Sequence, residues 1–297
     1  MAKVSVIIPT HNRPALLGGA IRSVLNQTFQ DFELLVVDDA SDDNPEHVVR
    51  SFADPRIRFV RHTVAQGGGA ARNTGIRDTS GMYVAFLDDD DVWYPQKLAL
   101  QVPLLDHGPA NLALVYGGYD TGNANGEQTL GTRIPTARGD LRNRLLSSNV
   151  IGGTSLILVR RTALESVGGF DESLPSFQDH DLYLRLSERY EFDFVPKPVL
   201  RYRRHDVQIW KNPPALVRGL EAMFHRHGGH TAFRKFLAYR YLKLGRQLCI
   251  AGDTVAGRSA LRRSLALNGR TLRAYAYYGL SFLGALNSKR TGRTKRS

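Results

Sequence analysis

Cysteine is almost absent from this 297-residue sequence, in which Cys249 is the only one. A single cysteine excludes an intrachain disulfide and a cysteine metal cluster, and it is typical of a protein kept in a reducing compartment. Long apolar runs are missing too, since none reaches the roughly 18 residues that a membrane-spanning helix needs. The apolar run near the start is too short for a secretory signal. We therefore expect a cytoplasmic protein.

The glycine-rich loops that bind nucleotide phosphates are also missing. The first predicted strand, at residues 4–8, leads into Pro-Thr-His-Asn-Arg-Pro at 9–14, with no G-x-G-x-x-G. This absence argues against a Rossmann dinucleotide site, and the lack of any G-x-x-x-x-G-K-[ST] excludes a P-loop.

Acidic residues are scarce in the last third of the chain. Residues 201–297 hold 3 Asp and Glu against 21 Lys and Arg, a net charge of +18. Residues 1–200 hold 25 against 19, a net charge of −6. This asymmetry predicts two regions with different partners. The basic region is open to three interpretations: a solvated helical face, a nucleic-acid surface, or a surface that docks on anionic lipid.

The sequence does contain a regular alternation of strand-like and helical patterns over its first 200 residues. Predicted strands lie at 4–8, 33–37, 57–60, 82–87, 112–116, 155–159, 192–195 and 199–202. Predicted helices follow Pro14 and Pro95, and others lie at about 69–78 and 179–189. The alternation predicts an α/β fold with a mostly parallel sheet covered by helices. Only helical patterns follow, so we expect domains at 1–212 and 213–297, the second an all-helical extension.

Four consecutive aspartates, Asp88 to Asp91, directly follow the apolar run at 82–87. Their carboxylates repel one another unless a cation or strong solvation neutralises them. Hard divalent cations prefer carboxylate ligands combined with substrate phosphates, and ligands of open α/β sheets bind beyond the carboxyl ends of the strands. A metal–phosphate site is therefore favoured over a solvated acidic turn.

Two further segments carry candidate ligand groups. Asp38 and Asp39 follow the strand at 33–37, where a carboxylate accepts hydrogen bonds from a base or a ribose, or else caps the next helix. Three glycines at 67–69 precede Arg72. They either let the backbone approach a ligand or form a flexible connector.

Taken together, these segments form a set of motifs in a recognisable order. The motifs are Pro-Thr-His-Asn-Arg at 9–13, Val-Asp-Asp-Ala-Ser-Asp-Asp at 37–43, Ala-Arg-Asn-Thr-Gly at 71–75, Phe-Leu followed by the four aspartates at 86–91, and Gly-Gly-Phe-Asp-Glu at 168–172 with Gln-Asp-His-Asp-Leu at 178–182. The set resembles the family 2 glycosyltransferases, which have the nucleotide-sugar-binding GT-A fold. The resemblance covers roughly residues 3–210.

The resemblance implies a role for each matching position. The positions implied to bind the nucleotide sugar are Thr10, Asn12, Asp39, Arg72 and Asp89. Asp88 and Asp90 match the D-x-D motif that holds Mg²⁺ or Mn²⁺ on the diphosphate, with Asp89 or Asp91 as possible helpers. Asp179 matches the general base, although Gln178 replaces the usual glutamate before it. His205 is a further candidate metal ligand, or else a surface histidine in a basic loop.

The activity implied by the resemblance is transfer of one sugar, with inversion, from a nucleotide-sugar donor to a glycan or lipid-linked glycan acceptor, in cell-surface polysaccharide synthesis. Gln208-Ile209-Trp210 lacks the Q-x-x-R-W motif of processive synthases, which favours single-sugar transfer. Two alternatives stay open: a nucleotidyltransferase that forms nucleotide sugars, and a non-catalytic glycan-binding or membrane scaffold that keeps the fold.

For the basic region we favour contact with an anionic membrane through residues 273–297, and we expect no nucleic-acid partner. As a helix, residues 274–286 would be about 20 Å long, too short to span a bilayer but suited to its interface. Each basic residue of the tail at 289–297 would add about 1 kcal/mol near anionic lipid.

Overall fold

A computed structural model describes residues 2–123, 128–203 and 212–282 of the chain. The strands are β1 Val4–Thr10, β2 Phe32–Asp38, β3 Ile57–Arg61, β4 Tyr83–Phe86, β5 Val92–Trp93, β6 Leu112–Gly122, β7 Thr129–Arg133, β8 Ile157–Arg160 and β9 Glu191–Arg203. The helices are α1 Pro14–Leu25, α2 Glu46–Arg50, α3 Gly68–Arg77, α4 Lys97–His107, α5 Arg142–Ser147, α6 Arg161–Ser166, α7 Gln178–Leu186, α8 Pro213–His227, α9 Thr231–Ala251, α10 Thr254–Leu267 and α11 Leu272–Phe282.

Within these residues, contacts divide the chain into two compact units. One holds the residues up to 145 and 149–203, and the other holds 146–148 and 212–282. The division into a catalytic domain at 1–212 and a helical domain at 213–297 stays a prediction.

The first unit is built on one sheet with the strand order β3-β2-β1-β4-β8-β6-β9-β5, and β7 pairs with β6. β3, β2, β1 and β4 run parallel to one another. β8 runs antiparallel between β4 and β6, and β9 is parallel to β6. The described residues thus form an α/β unit followed by helices, as the sequence predicts.

Helices cover both faces of this sheet. All seven residues of β1 are buried, as expected for a strand covered on both sides. On one face, α1 and α4 place their apolar stripes in the same core cluster as the strand residues Val6 and Ile8. On the other face, a Cβ added at Gly75 of α3 would lie 2.4 Å from Cγ2 of Ile7, so this helix packs directly on β1. β1 is therefore buried between helices on its two faces.

Two predicted strands, at 192–195 and 199–202, are parts of the single strand β9. Pro196 and Pro198 lie between the two predicted segments, and proline cannot donate to a sheet ladder. The pairing of β9 with β6 instead shifts register around Gly117 and Gly118, and such an irregularity accommodates prolines within a strand. The strand predicted at 155–159 begins as a 3₁₀ turn at Thr154–Leu156 and continues as β8.

The second unit contains an antiparallel helical hairpin, α9–α10. Gly252 ends α9 with a φ of 98°, and the Asp253 side chain caps α10 by accepting from the Ala256 N–H at 3.0 Å. Both capping roles agree with the sequence pattern. The two helices approach closely at Gly257, where an added Cβ would lie 2.4 Å from Sγ of Cys249. Over the described ranges, no helix is both long and apolar enough to cross a membrane.

Candidate active site

The topology brings the predicted site residues to one edge of the sheet. β1, β2 and β4 are parallel neighbours, so their carboxyl ends, with Thr10, Asp38 and Asp88 at or just beyond them, face the same edge. β8 is antiparallel to β4, so the turn before it lies at this edge as well. The Asp88 N–H accordingly donates to Oγ of Ser155 at 3.0 Å.

The four consecutive aspartates divide into two groups. Carboxylate oxygens of Asp88, Asp90 and Asp91 lie within 4.8 Å of one another. Asp89 points elsewhere and is 4% exposed. Its Oδ2 accepts from Oγ1 of Thr10 at 2.8 Å. The turn therefore gives Asp89 a different environment from the other three aspartates.

Asp91 is the least accessible member of the trio, at 3% exposure. Its Oδ1 has no hydrogen-bond partner among the described residues. Burial, reinforced by the charges of Asp90 and Asp88, raises the pKa of Asp91 well above its ordinary value. An unpaired carboxylate oxygen beside two further carboxylates is a donor set that suits a hard divalent cation. The residues present therefore fit Mg²⁺ or Mn²⁺.

Arg13 supplies a fixed positive charge to this acidic turn. Its Nη1 donates to Oδ1 of Asp89 at 3.2 Å and to Oδ2 of Asp90 at 2.9 Å. Burial raises the pKa of Asp89 to about 6, an effect that Arg13 offsets only in part. Burial also opposes the charge of Arg13, but Asp89 and Asp90 outweigh it and raise the pKa of the guanidinium. The contact of Arg13 with the acidic turn could have been expected from its place beside Asn12 in the first motif.

Asp39 organises the loop that leads into α3. Its Oδ1 lies 2.8 Å from Nδ1 of His62 and accepts from the Gln66 N–H at 2.8 Å, while Oδ2 accepts from the Gly67 N–H at 2.7 Å. Burial acts to raise the pKa of Asp39, but these hydrogen bonds outweigh it and lower the pKa. Three of four acceptor positions are thus used, which leaves one on Oδ2 for a ligand.

Asn12 ties the loop after β1 to the loop after β2. Its backbone adopts a φ of 55°, and its side chain exchanges two hydrogen bonds with Asp42, at 3.0 Å to Oδ2 and 2.7 Å from the N–H. The Asn12 N–H also donates to Oγ of Ser41 at 2.9 Å. These contacts hold the two loops together, and the predicted role of Asn12 in ligand binding stays a prediction.

Arg72 connects the acidic turn to α7. Its Nη2 donates to Oδ1 of Asp88 at 2.6 Å, and its Nη1 donates to Oε1 of Gln178 at 3.1 Å. Asp179 is the next residue of the same helix, in its first turn. The hydrogen bonds therefore place the predicted base close to the predicted metal ligands.

The loop before α7 is fixed to α3 by Asn73. Its side chain accepts from the Phe170 N–H at 2.8 Å and donates to the Phe170 carbonyl at 2.9 Å. The Asp179 carboxylate accepts from Nδ2 of Asn149 at 3.0 Å. Tyr183 is fully buried on α7, and its burial, with the charge of Asp179 second, raises the pKa of the phenol well above its usual value.

The structure thus gathers seven of the predicted site residues at one sheet edge. They are Thr10, Asn12, Arg72, Asp88, Asp89, Asp90 and Asp179, and Asp39 lies at the base of the adjoining loop. His205, the remaining predicted ligand, lies outside the described residues. The sequence did not reveal the parts taken by His62 and Asn149, because each lies in a loop without a distinctive pattern.

Comparison with known proteins identifies the family. The sequence pattern described as Glycosyl transferase family 2 matches residues 5–168, more than half of the chain. The chain belongs to glycosyl transferase family 2. The family and the glycosyltransferase activity predicted from the motifs are thereby confirmed. The family match ends before α7, so it does not include Asp179.

Among family members, the chain is similar to an Escherichia coli protein, UDP-Glc:alpha-D-GlcNAc-diphosphoundecaprenol beta-1,3-glucosyltransferase WfgD. The two are 35% identical over 184 residues, which cover 62% of this chain and 68% of the relative. Three Rickettsia relatives described as uncharacterized glycosyltransferases are longer, and the match spans about a third of their length.

Solved structures share the fold. Residues 1–349 of S. aureus TarS superpose with a TM-score of 0.65 at 18% identity, covering 99% of this chain and 93% of that one. The mannosyltransferase PcManGT from Pyrobaculum calidifontis, solved with GDP-Man and Mn²⁺, superposes with a TM-score of 0.61 at 22% identity, covering 97% and 81%. The predicted GT-A fold with a helical extension is confirmed.

Proposed function

We propose that this family 2 glycosyltransferase moves a single sugar, with inversion, from a nucleotide-sugar donor to a hydroxyl of a lipid-linked glycan during cell-surface polysaccharide synthesis. The observation that carries the proposal is the position of Asp179. It directly follows Gln178, and Arg72 donates hydrogen bonds to both Gln178 and Asp88. This arrangement supports Asp179 as a carboxylate base that acts beside a diphosphate site. The name of the E. coli relative makes UDP-glucose the first donor to test.

Asp179 acts as the general base in this proposal. An acceptor hydroxyl is a weak nucleophile until a carboxylate takes its proton during attack. The hydroxyl oxygen forms a bond to the anomeric carbon while the bond from that carbon to the diphosphate oxygen breaks, and the nucleoside diphosphate leaves with the electron pair. A single displacement of this kind inverts the anomeric configuration. It needs no second carboxylate as a nucleophile, unlike retaining glycosidases.

The acidic turn and Arg72 serve the leaving group. Asp88, Asp90 and Asp91 would hold Mg²⁺ or Mn²⁺, with Asp88 shared between the ion and Arg72. A divalent cation bound there would stabilise the negative charge on the departing diphosphate as a Lewis acid. Arg13 keeps Asp89 and Asp90 in place, and Thr10 supports Asp89. Asp39 and Asn12 would shape the nucleotide pocket at the neighbouring loops.

We further propose that the helical unit binds the anionic inner face of the cell membrane, where lipid-linked acceptors are presented. Residues 212–282 hold 12 Lys and Arg against 2 Asp and Glu. On α11, apolar or small residues at the spacing i, i+3, i+4, i+7 and i+8 are all exposed, namely Leu272, Tyr275, Ala276, Gly279 and Leu280. An apolar stripe on a basic helical unit is typical of interfacial binding.

Enzyme activity is tested by nucleoside diphosphate release with Mn²⁺, using UDP-glucose, UDP-N-acetylglucosamine and GDP-mannose as donors and N-acetylglucosamine-diphosphoundecaprenol as acceptor. Donors are first screened by thermal shift, because a bound donor stabilises the folded chain. Asp179→Asn should abolish turnover while donor binding persists. Asp78→Asn, an exposed aspartate at the end of α3, is the matched control. A scaffold would show no transfer, and an Asp179→Asn variant with normal turnover would exclude this base.

A further inference from the structure

The side chain of Asn149 is held in one orientation by a tight turn. Its Oδ1 accepts from the N–H groups of Ile151 at 3.2 Å and Gly152 at 2.9 Å. A backbone N–H can only donate, so the oxygen must face the turn and the amide NH₂ must face outward. That NH₂ donates to Oδ2 of Asp179 at 3.0 Å and to the Gly152 carbonyl at 3.2 Å. The donor to the base is therefore fixed by the backbone.

Gly152 makes this turn possible. Its φ is 109°, a left-handed conformation that side chains rarely adopt. A Cβ at this position would also lie 2.8 Å from Cδ1 of Leu156. The turn that orients Asn149 therefore depends on a glycine three residues later.

The same short stretch reaches the acidic turn at its other end. We call residues 149–155 the bridging segment. At its end, Ser155 Oγ accepts from the Asp88 N–H at 3.0 Å, and Oγ1 of Thr154 lies 3.4 Å from Oδ1 of Asp88. β8 follows immediately and is paired with β4. The bridging segment thus contacts the base at one end and a predicted metal ligand at the other.

We propose that Asn149 is a positioning residue for the base Asp179, an inference that rests on the proposed function. By fixing Oδ2 of Asp179, the Asn149 amide sets the direction of the other carboxylate oxygen. A hydrogen bond donated to a carboxylate also favours its ionised form, which is the form a base needs. Asn149 acts through Asp179. The bridging segment, in turn, fixes the distance from the base to the acidic turn.

Two substitutions separate this role from a purely structural one. Asn149→Asp keeps oxygen acceptors for the Ile151 and Gly152 N–H groups, so these two contacts of the turn are retained, and it loses the donor to the Gly152 carbonyl. It replaces the amide donor with a negative charge facing Asp179. Asn149→Ala removes both the turn contacts and the donor. Asn111→Ala, at an exposed residue whose backbone carbonyl accepts from Glu191, is the control.

For Asn149→Asp we expect kcat to fall by about 10- to 100-fold, because a misdirected catalytic group loses rate on that scale. The KM for the donor should stay within about twofold, since the pocket loops are not altered. The acid limb of the kcat profile should move to higher pH, because a like charge raises the pKa of the base. An unchanged kcat and an unshifted profile in Asn149→Asp would overturn the proposal.

A second readout does not depend on turnover. The Asp179 carboxyl can be followed by ¹³C NMR in the full chain, with its signal assigned from the spectrum of Asp179→Asn. Its titration midpoint should move to higher pH in Asn149→Asp and stay unchanged in Asn111→Ala. If Asp179→Asn keeps its turnover, the proposed function fails. If Asp179→Asn is inactive while Asn149→Asp matches the wild type in both readouts, only the positioning role fails.

Discussion

Arg72 and Gln178 lie 106 residues apart in the chain and are joined by a hydrogen bond of 3.1 Å between Nη1 and Oε1. The same guanidinium holds Asp88 through Nη2. One side chain on α3 therefore links the acidic turn after β4 to the first residue of α7. Gln178 stands where the family resemblance predicts glutamate, and as a neutral acceptor it leaves the charge of Arg72 for the ion pair with Asp88.

Removal of Arg72 should affect both partners together. In Arg72→Ala we expect kcat/KM to fall about 100-fold, equal to about 3 kcal/mol of transition-state stabilisation. Gln178→Ala should cost less, because Arg72 then keeps its pair with Asp88. The double variant should be no worse than Arg72→Ala, since residues that share a contact are not additive. Steady-state kinetics of the three variants check this, and simple additivity would show that the hydrogen bond carries no coupling.

Asp89 and Asp90 should respond differently to the same change. Asp90→Asn removes a ligand from the trio, and we expect isothermal calorimetry to show loss of Mn²⁺-dependent UDP binding. Asp89→Asn weakens the contacts with Thr10 and Arg13, so it should lower the free energy of unfolding by about 1–3 kcal/mol. Because Asp89 is not part of the trio, the UDP binding of this variant should still depend on Mn²⁺. Urea unfolding supplies the stability measurement. The assignment of the trio would be wrong if Asp89→Asn, and not Asp90→Asn, lost metal-dependent binding.

Replacement of Gly169 by alanine should lower the free energy of unfolding more than the same replacement of its neighbour Gly168. Both have left-handed backbones, with φ of 69° and 76°. An added Cβ at Gly169 would lie 2.6 Å from Oδ1 of Asn73, whereas none of the described atoms lies within 4 Å of one at Gly168. Gly168→Ala should therefore cost about 1 kcal/mol of backbone strain, and Gly169→Ala should cost more and displace the loop before α7. Urea unfolding of the two variants measures the difference, and equal costs would contradict the steric argument.

Lys97 should give the chain a measurable pH dependence of stability. Its side chain is fully buried. Its Nζ donates to Oε1 of Gln101 at 2.7 Å and lies 4.1 Å from the centre of the Trp93 ring. Burial lowers the pKa of Lys97 well below the ordinary 10.5. The unfolded chain then binds a proton at Lys97 more readily than the folded chain does. The free energy of unfolding therefore gains a rising contribution between the lowered pKa and 10.5.

Lys97→Met tests this linkage by comparison of slopes. Urea unfolding of wild type and variant at pH 7, 8 and 9 should show a steeper rise of stability with pH in the wild type. The variant also leaves Gln101 Oε1 without its donor, so its absolute stability carries a separate cost. Parallel slopes in the two proteins would mean that Lys97 keeps its proton when folded.

The exposed stripe of α11 should matter for membranes and not for catalysis. We combine Leu272→Ser, Tyr275→Ser and Leu280→Ser in one variant. Its binding to vesicles that contain about 30% anionic lipid should be weaker by about tenfold or more, because apolar burial at the interface is lost. Binding of the wild type should weaken with salt and on zwitterionic vesicles. Val64→Ser, an exposed apolar residue of the first unit, is the matched control. Equal sedimentation of all variants with vesicles would contradict the proposed surface.

Sequence patterns predict much of this site because its parts follow strands. Asp39 and Asp88 come directly after buried parallel strands, so the strand pattern alone brings them to one edge. The direction of each carboxylate is another matter. Asp89 and Asp91 are both buried, but Asp89 accepts hydrogen bonds from Thr10 and Arg13, whereas Oδ1 of Asp91 is unpaired among the described residues. This difference is set by the backbone geometry of the turn.

Contacts between distant loops were also beyond sequence reasoning. Asn149 lies in a stretch with no periodic pattern, and its pairing with Asp179 arises only when α7 packs beside the turn before β8. The sequence predicts two strands where the structure has the single strand β9, and the register shift that accommodates Pro196 and Pro198 depends on the partner strand β6. Local sequence patterns predict the helices and strands, whereas the contacts of Asn149 and the continuity of β9 depend on packing between segments that are distant in the sequence.

The close approach of α9 and α10 makes Cys249 a built-in reporter. Its thiol is the only one in the chain, and it faces Gly257 at a point where even a methyl group would not fit. Cys249 also packs with Ala274 of α11, so alkylating reagents can reach the sulfur only when the packing of these helices opens. The rate at which the native protein is labelled would report how readily these helices open, with no engineered probe and no cysteine in the first unit.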